Sequence, residues 1–188
     1  MINKHSHEFD KLIKAYRDAR PQLMGRAATM AVTFFKENFR RQGFLDRNVI
    51  PWKKRLQGTP GNNPLLIKRG FLRRAVMQKS VKPTRAVVGV DPSIKYAEIQ
   101  NNGGKIPITN QMRRFFWAMY YKNGGGKEQG NSVRAQTLNS AAAFWKALAL
   151  TEKTHLEVTA RPFIGDSYTL EHNILDMFDT EIYKIFKQ

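Results

Sequence analysis

The chain has 188 residues, of which 41% are apolar, with twelve phenylalanines and no cysteine. That length suits one domain, residues 1–188, with a core of its own, and the lack of cysteine excludes disulfides, thiolate nucleophiles and Cys-ligated zinc. Lys and Arg outnumber Asp and Glu by 32 to 15, a formal net charge of +17, which points to an anionic partner.

The charge is unevenly spread. Residues 36–85 carry 14 cations and 2 acids, a net +12, whereas residues 161–188 carry a net −2. The partner of the basic stretch is nucleic acid or an acidic protein surface, and charge alone does not choose between them. No run reaches the roughly 18 apolar residues of a membrane span, and the N-terminus lacks the apolar stretch of a secretory signal. The chain is therefore expected to be soluble and intracellular where it is made, with no membrane partner.

In chain order, Phe9, Leu12, Ile13 and Tyr16 recur at helical spacing, and Pro21 stands where a first-turn proline or a kink belongs. Leu23, Ala27, Met30, Ala31 and Phe34 form the next apolar stripe, widened by Ala28, Phe35 and Phe39. So broad a stripe implies packing on two sides. Gly43, after Arg40 and Arg41, is a helix stop. Residues 44–64, with Pro51, Gly58, Pro60, Gly61 and Pro64, read as irregular. Leu65–Gln78 reads as one or two short helices broken near Gly70. Ser80–Lys82 and Arg85–Val90, separated by Pro83-Thr84, predict a β-hairpin.

Residues 94–100 follow as a further segment of the sheet, a strand or a short helix, ending at the turn signal Asn101-Asn102-Gly103-Gly104. Met112–Tyr121 and Gln136–Leu150 predict helices, and Lys122–Asn131 between them, rich in glycine, predicts a flexible loop. Leu156–Ala160 alternates as a strand does, and Asp166 or Ser167 caps a last helix carrying Leu170, Ile174, Met177, Phe178, Ile182 and Ile185. The expected fold class is α+β. A small antiparallel sheet (the 80–90 hairpin, 94–100 and 156–160) packs against a long N-terminal helix and a C-terminal helix.

No catalytic set is legible. Gly126-Lys127 is followed by Glu128 and Gly104-Lys105 by Ile106, so neither glycine cluster is a phosphate loop. Of the four histidines only His5 and His7 are close in sequence, short of the three or four ligands a metal site needs. The acids Glu171, Asp176, Asp179 and Glu181 suit a solvated outer face of the last helix. The expectation is no catalytic residue, no metal and no cofactor. The residues that stand out are Trp52, Lys53, Lys54, Arg55, Lys68, Arg69, Arg73 and Arg74. Their cations are dense, and Trp52 and Phe71 interleave aromatics able to stack on bases. No helix-turn-helix, zinc-finger or single-strand-binding signature accompanies them, which favours a solvated basic face, or one that meets an acidic protein partner, over DNA contact.

Three segments resemble one family. Trp52-Lys53-Lys54-Arg55 followed by Leu66–Val76 with Gly70 is similar to the stretch of tryptophan, then leucine–x–x–threonine–glycine–x–leucine, of the phage virion morphogenesis family. Tyr96-Ala97-Glu98-Ile99-Gln100-Asn101-Asn102-Gly103-Gly104 and Ala160-Arg161-Pro162-Phe163-Ile164-Gly165 resemble two further motifs of that family. Arg69 stands where threonine is usual, Ala75 replaces a common serine and Gln100 a histidine. The resemblance runs from about residue 30 to the C-terminus and is weakest over 105–150. It implies a non-enzymatic protein of tail completion or head–tail joining, assembled in the cytoplasm of a bacterial host and then part of the virion. It also implies partners among the tail tube, tail terminator or head–tail connector, and a homo-oligomeric ring. Arg161-Pro162-Phe163 fixes an extended approach and buries an aromatic. Gly103 and Gly104 supply a turn, and Gly165 lets the chain turn into the last helix.

Overall fold

Helix α1 (Lys4–Arg41) is the axis of the protein, and everything that positions the basic residues is built on it. The computed structural model describes residues 4–55, 63–126 and 133–187, with side chains outside 4–7 and 133–139. The fold class is α+β, with six helices and three two-stranded antiparallel sheets among the described residues.

The expected long N-terminal helix is a single helix of 38 residues with Pro21 inside it, neither at a first turn nor at a break. Proline removes one backbone donor, but here packing on two sides carries the helix through. Leu23 and Ala27 bury against Met177 of the last helix, and Arg20 Nε donates to Pro83 O at 3.4 Å. The chain leaves α1 through Gln42, whose φ of 54° turns it into β1 (Gly43–Leu45) and β2 (Val49–Pro51). These two strands lie in a stretch expected to be irregular. Three residues are too few to alternate, and it is the Gln42 side chain that fixes their exit, donating to Phe39 O and Leu65 O while accepting from Leu65 N.

A single turn of helix, α2 (Phe71–Arg74), leads into the predicted hairpin, β3 (Val76–Lys82) and β4 (Arg85–Val90), whose strands pack on α1. The sheet expected beyond it does not form. The segment at 94–100, expected as part of the sheet and read as a strand or a short helix, yields helix α3 (Ala97–Asn102), because Ala97 turns into the core and Gly103, at φ 74°, ends the helix with its N–H on Ile99 O. The Asn-Asn-Gly-Gly signal is thus a helix C-cap. The predicted strand near 156–160 is β6 (His155–Val158), and it pairs with β5 (Gly104–Pro107), not with the hairpin.

Between β5 and β6 the chain makes a helical hairpin, α4 (Asn110–Lys122) and α5 (Val133–Leu150), which packs on itself. Phe116, Phe144 and Trp145 fill its seam, with Trp145 stacked on Phe116 at 6.0 Å and the exposed Phe115 edge-on to Trp145 at the rim. Arg113 closes the far end by donating to Ala149 O and Thr151 O at the C-terminus of α5, where a cation also suits the helix dipole. Of the expected flexible loop over 122–131, Lys122 ends α4 and residues 123–126 form a hydrogen-bonded turn. Residues 127–131 lie outside the described residues.

The last helix, α6 (Tyr168–Phe186), runs along α1, and Ser167 is its N-cap as predicted. Ser167 Oγ accepts from Leu170 N at 3.2 Å and donates to Leu45 O at 2.9 Å, so one buried hydroxyl joins α6 to β1. Ser167→Ala is expected to cost about 2 kcal/mol, the upper end for loss of an N-cap, since the Leu45 carbonyl also loses its donor. Urea denaturation of the purified variant measures it.

Candidate functional site

The three motif segments, far apart in sequence, meet at one place. Phe39, Trp52 and Phe163 form an aromatic cluster with ring centroids 5.7 and 5.1 Å from Phe39. Trp52 Nε1 donates to Pro162 O at 2.7 Å, and Arg161 Nε donates to Lys53 O at 3.2 Å. The peptide groups of Phe163 are held from two sides. Asn101 Oδ1 accepts from Phe163 N and Ile164 N, while Asn38 Nδ2 donates to Phe163 O and Asn38 Oδ1 accepts from Leu45 N. Both asparagines are structural ties; the sequence marked Asn101 only as part of a turn and did not mark Asn38. A buried Asn at position 38 interrupts the apolar face of α1, and that interruption is the signal that would have found it.

Gly103 lets this junction close. A Cβ there would lie 2.9 Å from Ala160 N and from Val158 O, so the chain before Arg161 can approach only a glycine. Gly104 follows as the first residue of β5. Gly165 does not have the expected role, since it has no left-handed φ and an added methyl would meet only the Phe44 ring at 3.6 Å.

Around the junction lie the basic residues. Trp52 is not one of the surface groups expected: it is 6% exposed, with its ring in the core. Burial of its indole beside Phe39 removes it as a stacking platform. Lys53, Lys54, Lys68, Arg69 and Arg74 are exposed, and Arg55 and Arg73 half-buried. Arg55 reaches back to Asn63 O and Pro64 O, which ties it to the segment at 63–64. Two shallow depressions flank the turn at Gly70. One, about 510 Å³, is lined by Lys36, Ile67, Arg69, Gly70, Arg73 and Arg74; the other, about 270 Å³, by residues including Arg55, Lys68, Arg69, Phe71 and Tyr96. Among the described residues, no carboxylate lines either one. Lys36 is a member that the sequence did not mark, and Tyr96, marked as a structural residue, opens onto the second depression at 45% exposure.

Gly70 organises this face. It takes a left-handed φ of 68° at the start of α2, and the Arg74 guanidinium lies where a Cβ would come within 3.0 Å, set over the Phe71 ring at 5.0 Å. Gly70→Ala is expected to cost about 1 kcal/mol, the penalty of a side chain in that conformation, and to displace Arg74. Thermal unfolding reads the first effect and weaker retention on an anionic resin the second. Arg161 feels the crowding of like charge. Burial, and then the cation of Arg55, lower its pKa below that of a free guanidinium. An anion placed here relieves that repulsion.

The other ionisable groups do not gather. Among the described residues, no group of three or more His, Asp or Glu side chains is arranged to hold a metal ion. His155 sits on β6 beside Thr154, and His172 stacks on Tyr168 of α6. The side chains of His5 and His7 lie outside the described residues. Glu181 turns inward to Arg26 and Lys184, both at 2.8 Å, whereas Glu171, Asp176 and Asp179 face solvent. No helix among the described residues is long and apolar enough to cross a membrane. No family model, curated protein or solved structure matches the chain.

Proposed function

We propose that the chain is a structural protein of a tailed phage or prophage that acts in tail completion or head–tail joining by binding other proteins, without catalysis. The observation that carries this reading is the convergence of the three family-like segments on the Trp52–Asn101–Phe163 junction. Residues spaced over more than a hundred positions serve one geometric task there, which is to fix the chain that presents the cationic face. That task supports the reading of the chain as a building unit. Its partners are other virion proteins at the tail tube, tail terminator or head–tail connector, together with further copies of itself in a ring. Its place is the host cytoplasm during assembly and then the virion.

The test is genetic and direct. Particles made without the gene should show unjoined or incomplete tails by negative-stain microscopy, and the protein should be found by mass spectrometry in purified wild-type virions. Normal particles without it, together with its absence from virions, overturn the reading. The second reading is a DNA-binding accessory protein, favoured by one observation: among the described residues, four cations and no acid line the depression at Lys36, Arg69, Arg73 and Arg74. That reading requires duplex binding that falls steeply with salt as counterions are released. No binding at low ionic strength removes it.

A further inference from the structure

The outer face of α6 carries a continuous stripe, Tyr168, His172, Leu175, Asp179, Tyr183 and Phe186, at steps of three and four residues. Leu175, Tyr183 and Phe186 are each more than half exposed, and Tyr168 nearly so. Glu171 and Asp176 flank the stripe, and neither Glu171 nor Asp179 enters an ion pair among the described residues. An amphipathic helix buries its apolar face and turns its polar face outward. Here the inner face is already used, by Leu170 and Met177 in the core and Ile174 packed against it, and the outer face carries apolar groups as well, with acids interleaved along its middle and a cation over the ring at each end, Arg47 on Tyr168 and Lys187 on Tyr183. A surface of that kind marks a contact with another macromolecule.

The cationic face supplies its complement. The α6 side of α1 is marked by Leu23 and Ala27, which pack on Met177. Lys36 stands nine residues after Ala27, which is about 900° at 3.6 residues per turn and therefore the opposite side of the helix. The depression that Lys36 lines, with Arg69, Arg73 and Arg74, thus lies across α1 from α6. Beside it stand Phe71 and Tyr96, both about half exposed. One face offers carboxylates among exposed aromatics and the other offers guanidinium groups among exposed aromatics. They stand back to back, so neither can satisfy the other within one chain.

We infer that these two faces are each other's partner in successive copies: the acidic outer face of α6 docks on the Gly70–Arg74 face of the next molecule. The contact is heterologous, one surface meeting a different one, so each copy keeps one free face of each kind and the association propagates until it closes. Arg73 and Arg74 meet Asp176 and Asp179 across it, and the two sets of aromatics exclude water around the charge pairs. This inference rests on the reading of the chain as a self-assembling structural protein, and it identifies which surfaces do the assembling.

Compensating charge reversal tests it. Light scattering coupled to size exclusion at low ionic strength should show the full-length wild type associating in a salt-sensitive way. The acidic-face variant Asp176→Lys/Asp179→Lys and the basic-face variant Arg73→Glu/Arg74→Glu should each associate roughly a hundredfold more weakly, since like charges then face each other. An equimolar mixture of the two should regain association, because each altered face then finds an opposite one. Failure of the mixture to recover overturns the pairing, as does a wild type that stays monomeric at low salt. A monomeric wild type that binds a short DNA duplex through Arg73 and Arg74 assigns the face to nucleic acid and overturns it also. Association in solution does not depend on whether virions contain the protein, so this test and that of the phage role can fail separately.

Discussion

Phe163→Ala should unfold most of the body, costing about 4 kcal/mol by the usual range for deleting a buried aromatic ring. The side chain is 1% exposed and packs on Phe39, whose ring in turn meets Trp52 edge-on. The loss is therefore shared by α1, the segment after β2 and the chain entering α6. Domain stabilities are typically about 5–15 kcal/mol, so the variant should lose a large fraction of its reserve. Tryptophan fluorescence during urea unfolding measures this, because Trp52 reports on the junction itself. A variant that keeps the wild-type midpoint would show that the cluster is dispensable.

Asn38→Leu should cost about 3 kcal/mol although it adds apolar volume. The side chain is fully buried and serves two backbone groups at once, Leu45 N and Phe163 O. Leucine leaves both without a partner, and each unsatisfied buried group costs about 1–3 kcal/mol. The companion change Asn101→Ala strips the Phe163 and Ile164 N–H groups of their acceptor. Because the two asparagines hold the same residue from opposite sides, the double variant should lose less than the sum of the singles. Strict additivity in a denaturation cycle would mean that the two ties act independently.

The fold class and most helices were legible because their signals are periodic and local. The α6 cap at Ser167 and the Pro83-Thr84 hairpin turn follow from residue types within a few positions. Strand partnership was less legible. Leu156 pairs with Ile106 and not with the hairpin because two helices bring β5 and β6 together, and nothing in a four-residue strand names its neighbour. The same limit explains Trp52. A tryptophan followed by Lys53, Lys54 and Arg55 looks like part of a basic surface, but its indole is drawn inward by Pro162, more than a hundred residues away. Lys36 escaped notice for the converse reason: it lies on α1 outside the cluster of cations, and only the fold brings Arg69 and Arg73 to it. Charge was thus readable as an amount along the chain, while its assembly into a face was set by the exit of the chain through Gln42 and Gly70.

The ladder between β5 and β6 has an evolutionary consequence. Pro107 and His155 are cross-strand partners, so their Cα atoms stand about 5 Å apart while the chain between them runs through all of α4 and α5. The described residues between Ile108 and Thr154 are topologically a cassette, closed at its base by two short strands and packed on its own aromatic seam. A tight turn could bridge the same gap. Drift, exchange or loss of that cassette would leave the Phe39–Trp52–Phe163 junction untouched. The sequence of that segment is thereby the least constrained by the packing of the junction.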